Sequence, residues 1–138
     1  MDRAEEEMLL FRSFVIPQKR RRYVELLGRR SGRDKIRRSL DHFKDLDPRF
    51  CSRIQRDQQR PNEILGMLNA LGAPPVCWII SSNIDVDARE MDLPDALAKI
   101  AGVGCGTFLS CLPGVLAYFE GEETNARYIC RRAEARLR

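Results

Sequence analysis

The chain has very few of the side chains from which metal centres and hydrolytic active sites are usually built. Its 138 residues include one histidine, His42, and five cysteines, and no two of these have zinc-finger spacing or form a CxxC pair. A G-x-S-x-G nucleophile elbow is also absent. These absences disfavour a structural zinc site and a nucleophile–histidine triad, and they favour a packed or capping role for His42.

Long apolar runs are missing too, and none approaches the ~20 residues that a membrane-spanning helix needs. The first residues are acidic and lack the basic start and apolar centre of a signal peptide. The cysteines are odd in number, and Cys77 lies within a short apolar run, which favours reduced, buried thiols. We therefore expect a cytoplasmic protein with no membrane partner.

Charge is abundant in this chain, and it is strongly segregated along the sequence. The formal net charge is +4 at pH 7. Residues 1–60 carry seventeen Lys/Arg against ten Asp/Glu, residues 61–123 carry two against nine, and residues 124–138 carry five against one. The chain is therefore basic, acidic and basic in turn, while its apolar content of 43% is typical of a folded globular domain.

The N-terminal part, residues 1–73, has apolar residues at helical spacing and is predicted to be helical. Proline and glycine mark the boundaries of its helices. Residues 49–60 are predicted to add at most one or two helical turns. The expected helix starts are Asp2, Pro17, Arg33 and Pro61.

Residues 74–138 change from helical spacing to short apolar runs that predict strands. The second and third predicted strands are joined by Pro113-Gly114, a type II turn signal that favours a bulge or a wider loop in a hairpin. The predicted strands are Val76–Ile80, Thr107–Leu112 and Val115–Phe119.

Two further helices complete the prediction. One begins at Asp92 and separates the first two strands, so these strands are expected to be parallel. The other is predicted from Glu122 to Arg138. The expected fold is a single α+β domain over residues 1–138, in which the helical part, 1–73, packs on a small three-stranded mixed sheet. The sheet and the C-terminal helix belong to a βαββα part, 74–138.

The loop after the first predicted strand, residues 81–90, is the strongest site candidate, because ligands often bind at the carboxyl ends of strands in open sheets. Its three carboxylates are the ligand type that a hard divalent cation prefers, although their spacing fits neither a calcium loop nor a D-x-D phosphatase motif. The alternative is a solvated loop whose polar side chains bond local backbone groups. The polar residues in question are Ser81, Asn83, Asp85, Asp87 and Glu90.

Strand alternation places Tyr118 and Glu120 on one face of the third predicted strand. Both are candidates to line a pocket beside this loop, together with Ser81, Asn83 and His42. The alternative for Tyr118 is a packing role between neighbouring strands.

The most pronounced signal is a run of basic residues in the second and third predicted helices and in the loop between them. A cluster of fixed positive charge can neutralise phosphates and drive sequence-independent binding to nucleic acid. In the opposing interpretation, acidic residues of the middle segment face these helices within the fold and cancel their field. Only Tyr23 stands among the arginines as an aromatic that could stack on a base. The candidate binding residues are Lys19, Arg20, Arg21, Arg22, Arg29, Arg30, Arg33 and Arg37.

The charge segregation and the lack of a complete catalytic constellation favour a non-catalytic binding or regulatory module. Such a module would meet a protein or a nucleic acid through its charged surface. The alternative is an enzyme, a small metal-assisted hydrolase that would use the carboxylates of the loop at residues 81–90. A homo-oligomer whose basic and acidic surfaces meet is a third interpretation. No cofactor is expected, apart from the divalent metal that the hydrolase would use.

Overall fold

The computed structural model describes residues 1–132, where it contains five α-helices and six β-strands. Within these residues no helix is long and apolar enough to cross a membrane. The helices are α1 (Arg3–Phe14), α2 (Pro17–Leu27), α3 (Arg30–Ser39), α4 (Pro61–Ala70) and α5 (Leu93–Ile100). The strands are β1 (Cys51–Arg53), β2 (Val76–Ser81), β3 (Arg89–Asp92), β4 (Thr107–Leu112), β5 (Leu116–Glu120) and β6 (Arg127–Arg131).

All six strands form one antiparallel sheet with the order β1-β6-β5-β4-β2-β3. Helices α1–α3 cover one face, the α1 face, where Phe11 and Phe14 pack in one cluster with Phe108 and Phe119. Helices α4 and α5 cover the other face, the α5 face, whose core is mostly aliphatic. The sheet is therefore the middle of three layers, and both of its faces are buried.

The predicted three-stranded mixed sheet is wrong, and the main reason is a hairpin in the segment that the sequence predicts to be a loop. β2 is followed by β3, which pairs with it antiparallel and places Asp92 opposite Val76. β3 therefore ends beside the first residue of β2. α5 and the segment after it lead to the other end of β2, where Thr107 pairs with Ser81. β4 therefore begins where β2 ends, and the two strands are antiparallel rather than parallel.

Two further strands lie where the sequence predicts helix, and both predictions are wrong. β1 falls within residues 49–60 and pairs with β6. β6 itself falls within the helix predicted from Glu122 to Arg138, of which residues 133–138 lie outside the described part of the chain. Tyr128 packs on the α1 face and Ile129 on the α5 face, which is the two-residue period of a strand.

Helices α1, α2, α4 and α5 and strands β2, β4 and β5 lie where the sequence predicts them. Asp2 caps α1 as expected, because the Glu5 amide donates to its carboxylate at 2.8 Å and the Asp2 amide donates to Glu5 Oε1 at 3.0 Å. Gly114 has a φ of 72°, and the register beside Ser110 is irregular. Leu112 pairs with Leu116, so the turn is wider than a two-residue hairpin, as the Pro-Gly signal favours.

The corner between α2 and α3 is tight. α3 begins at Arg30, earlier than the predicted start at Arg33. Gly32 lies against the backbone of α2, so that a Cβ there would be only 2.1 Å from the Leu26 carbonyl oxygen. A larger residue would force the two helices apart, and this contact therefore fixes how they present their basic side chains.

Candidate functional site

Arg33 of α3 connects α1 to the loop between β2 and β3. Its guanidinium donates to Glu7 through Nε and Nη2, both at 2.9 Å, and to Asp87 through Nη1 at 2.8 Å and Nη2 at 3.0 Å. Burial acts to lower the pKa of Arg33, but the hydrogen bonds to Asp87 and Glu7 outweigh it, so the pKa is raised. Arg33 is therefore a fixed cation held between two carboxylates.

Two glutamates of α1 carry this network onto the sheet. Glu7, with 4% of its surface exposed, also accepts from Trp78 Nε1 at 2.8 Å. Glu6, with 5% exposed, accepts from the Ser110 hydroxyl at 2.7 Å and pairs with Arg3. Both buried carboxylates thus have charged and neutral partners, which offsets the cost of removing them from water.

The three loop carboxylates point to different places. Asp87 faces Arg33 and also accepts the Ser81 amide at 2.9 Å. Glu90 lies in β3 and pairs with Arg3, whereas Asp85 is exposed at the loop tip. Within residues 1–132 there is no group of three or more His, Cys, Asp or Glu side chains that could hold a metal ion.

The remaining loop residues bond locally. The Ser81 hydroxyl lies 2.8 Å from the Thr107 hydroxyl and accepts the Asn83 amide at 3.0 Å. The Asn83 side chain accepts the Asp85 amide at 3.0 Å. This is the pattern of a loop whose polar side chains satisfy its own backbone.

Tyr118 and Glu120 lie together on the α5 face, bonded to each other and to a glycine-rich segment. The Tyr118 hydroxyl donates to Glu120 at 2.8 Å, and the amides of Gly102 and Gly104 donate to the same carboxylate at 3.0 and 3.3 Å. Arg127 adds an ion pair at 3.4 Å. Burial, together with the charge of Glu120, raises the pKa of Tyr118. With Glu120 only 1% exposed, this cluster secures the segment after α5 and faces the protein interior.

His42 stands apart from these residues, at the rim of a different cavity of about 590 Å³ that Lys44, Arg53 and Tyr128 also line. Its side chain is 74% exposed, and its Nδ1 lies 3.2 Å from Glu122 Oε2. Within residues 1–132 no serine or cysteine lies in hydrogen-bonding distance of the ring. A pair this exposed contributes little to stability and does not activate a nucleophile.

Three of the buried cysteines, Cys77, Cys111 and Cys130, are not activated either. Four of the five are buried, and all five are free thiols. Burial raises the pKa of Cys77 to about 12, and it also raises the pKa values of Cys111 and Cys130. These thiols are protonated at neutral pH and pack as small apolar side chains.

The basic residues of α2, of α3 and of the turn between them divide into two sets. The first, which we call the inward set, is turned toward the rest of the protein. Besides Arg33, the inward set contains Arg20, which pairs with Asp47 at 2.9 Å. Lys19 lies 3.4 Å from Asp45. Arg37 pairs with Asp34 at 3.0 Å and donates to the Ser82 carbonyl at 3.1 Å. These contacts hold α2 and α3 to the rest of the molecule.

The second set lies on the exposed sides of α2 and α3, and we call it the outer basic surface. Arg21 has a weak pairing with Glu25 at 3.6 Å, and Arg38 pairs with Asp34 at 3.1 Å. The other four have no acidic side chain within 4 Å in the described part of the chain. Tyr23 is turned inward, where its hydroxyl donates to Asp45 at 2.5 Å. The surface consists of Arg21, Arg22, Arg29, Arg30, Lys35 and Arg38.

Comparisons of the chain with protein-family models, with curated proteins and with solved structures find no match. The chemistry of the side chains is therefore the remaining guide to the function. The described residues provide several buried ion pairs that organise the fold and, on α2, α3 and the turn between them, an exposed group of positive charges. Only the last of these is open to solvent.

Proposed function

We propose that this protein is a non-catalytic binding module whose outer basic surface contacts the phosphate backbone of a nucleic acid. The observation that carries the proposal is the set of four exposed cations without acidic partners within residues 1–132. These are Arg22, Arg29, Arg30 and Lys35. Each phosphate that such a side chain neutralises releases condensed counterions, which gives affinity without base-specific contacts.

Binding is favoured over catalysis by the state of the reactive groups. The thiols of Cys77, Cys111 and Cys130 have raised pKa values, and the loop carboxylates Asp87 and Glu90 are engaged by arginines. His42 pairs with Glu122 at the surface, away from any nucleophile in the described residues. No observation favours the metal-assisted hydrolase that the sequence alone left open.

A duplex is favoured over a single strand. Single-strand binders stack bases on exposed aromatic rings, which typically contribute about 1–3 kcal/mol per base. The one aromatic residue of α2 and α3, Tyr23, packs inward against Phe11 and Phe43. The outer basic surface can therefore contact phosphates but cannot stack bases, and we expect binding that is largely independent of sequence.

Two other partners compete with this proposal. An acidic protein segment would also complement the outer basic surface. A second copy of the chain offers exposed acids at the start of α5, namely Asp92 and Asp95. The five free thiols support a cytoplasmic location, where any of these partners can be met in reducing conditions.

The test is binding to a fluorescent DNA duplex of about 20 base pairs, measured by anisotropy between ~50 and ~200 mM salt. We expect affinity that falls steeply with salt, and competition by unlabelled duplexes of unrelated sequence. Polyglutamate is titrated in parallel, and sedimentation at each salt concentration reports self-association. Tighter binding to polyglutamate than to the duplex would replace the nucleic acid with an acidic protein. Salt-sensitive dimerisation without duplex binding would replace it with a second copy.

A further inference from the structure

A second surface, on the other side of the sheet, has the character of a small-molecule site. A groove of about 520 Å³ lies between the last turns of α4 and the outer strands β6 and β1. Its volume is within the usual range of ligand pockets, roughly 300–1,000 Å³. It belongs to the α5 face, whereas the outer basic surface lies on helices that cover the α1 face, so the two are separate.

The walls of the groove are apolar. Met67 and Leu71 come from α4, and Ile129 comes from β6; all three pack against the core of the α5 face while remaining partly exposed. Ala70 is exposed at the helix side of the groove, and Phe50 also lines it. This lining suits an aliphatic chain or a single ring.

Two arginines, Arg49 and Arg131, line the groove. Arg131 lines the groove, and its buried Nε has no hydrogen-bond partner within residues 1–132. An unsatisfied buried donor is costly, so this guanidinium gains from any acceptor that enters beside it. Arg49 stands at the same rim and uses Nε and Nη2 on Asp47, which leaves its Nη1 available.

We propose that this groove binds a small amphipathic carboxylate. Its apolar part lies against Met67, Leu71 and Ile129, and its carboxylate accepts from the guanidinium of Arg131. The planar fork of arginine matches the two oxygens of a carboxylate, and a charge-assisted bond of this kind is about twice as strong as a neutral one. Arg49, although paired with Asp47, also lines the groove, and its Nη1 has no hydrogen bond within residues 1–132.

The experiment is a calorimetric titration of the full chain with octanoate. Octan-1-ol and octyltrimethylammonium have the same tail and serve as the neutral and cationic comparisons. We expect octanoate to bind at least tenfold more tightly than octan-1-ol, since a hydrogen bond to a charged group is involved. Equal binding of all three compounds, or no binding of octanoate, would overturn the proposal.

Two variants locate the site. R131M keeps the aliphatic stem and removes the charge, so we expect octanoate affinity to fall about tenfold while the melting temperature is unchanged or higher. A70W fills the groove from an exposed helix position and should abolish binding of octanoate and octan-1-ol alike. R12M, which removes an exposed arginine of α1, is the matched control and should bind as wild type does. Octanoate binding that survives both R131M and A70W would place the ligand elsewhere and refute the assignment.

Discussion

The inward and outward basic residues of α2 and α3 are the same residue types on the same two helices, yet they have different physical roles. Arg33 is held by four hydrogen bonds within 3 Å to Glu7 and Asp87. Arg30 is exposed and has no acidic partner within residues 1–132. A run of arginines in a sequence is therefore not one feature, and its total charge overstates what a partner can meet.

The difference arises from burial. A guanidinium between two carboxylates in a low-dielectric environment is strongly stabilised by them, and each carboxylate depends equally on the cation. An exposed guanidinium is hydrated and screened, so it contributes little to the fold and remains available to bind an anion. The inward set stabilises the fold, and we assign the binding proposed above to the outward set. Substitutions in the inward set and in the outward set both test this contrast.

The largest effect is expected from R33M. The substitution leaves Glu7 and Asp87 without their shared cation, and removing one partner of a buried ion pair typically costs about 3–5 kcal/mol. We expect the free energy of unfolding in urea at pH 7 to fall by about 3 kcal/mol.

The matched control is R30M, in the same helix, which should change the free energy of unfolding by no more than about 0.5 kcal/mol. Adding E7Q and D87N to R33M removes the stranded charges and should recover part of the loss. Equal effects of R33M and R30M would show that the two sets do not differ.

A smaller loss is expected from R33K. Lysine keeps the charge but cannot place a planar fork of donors between two carboxylates. We expect about 1–2 kcal/mol of destabilisation in the same urea experiment, because the lost bonds are to charged groups. Replacing the outer arginines Arg22, Arg29 and Arg30 together by lysine should leave stability and duplex binding nearly unchanged. If R33K leaves the free energy of unfolding unchanged, only the charge of Arg33 is needed.

The pH dependence of stability tests the role of Asp47, which pairs with Arg20 of the inward set. Its pKa is lowered, first by hydrogen bonding from Arg49 and also by the charge of Arg20. Its contribution to stability is therefore complete above the unfolded pKa of about 3.9 and is lost as the pH falls through the folded value. D47N should cost about 1–2 kcal/mol at pH 7. The difference in free energy of unfolding between wild type and D47N, measured in urea, should become smaller below pH 4. A difference that does not change with pH would contradict this role.

The smallest effect on stability is expected from the outer variant, R22Q/R29Q/R30Q/K35Q. These side chains have no acidic partner in the described residues, and their mutual repulsion is removed. The free energy of unfolding should stay within about 0.5 kcal/mol of wild type or rise slightly. A loss of several kcal/mol would place these residues with the inward set.

Much of the fold could be predicted from local signals, and the errors have a common physical cause. The Asp2 cap and the Pro113-Gly114 turn act within a few residues, so the sequence indicates them directly. β1 and β6 have only 3 and 5 residues, and β6 has an arginine at each end. β1 is a strand because it pairs with β6, and β6 also pairs with β5. Pairing between distant segments decides such strands, and it leaves only a weak trace in local spacing.

The division into inward and outward arginines could be predicted in part from the sequence. Glu7 stands at helical spacing from Leu10 and Phe14, which places it on the buried side of α1 and implies a cationic partner. The identity of that partner was not accessible, because Arg33 is 26 residues from Glu7 and 54 from Asp87. The groove at Arg131 could not be predicted either, since one wall belongs to β6, which the sequence suggests is helical.

The charge-matched control for the outer variant is R12Q/K44Q/R56Q/K99Q, which removes four exposed cations from other parts of the surface. Both variants have the same formal net charge, so general attraction to a polyanion is lowered equally in each. Any difference between them in binding therefore reports the position of the cations rather than their number.

The most direct test of the central claim is the slope of duplex affinity against salt concentration for wild type, the outer variant and the charge-matched control. We predict that the outer variant loses roughly one unit of slope for each phosphate contact removed, while the control keeps nearly the whole slope of wild type. Equal slopes for the outer variant and wild type, or no duplex binding by wild type at the lowest salt concentration, would contradict the account.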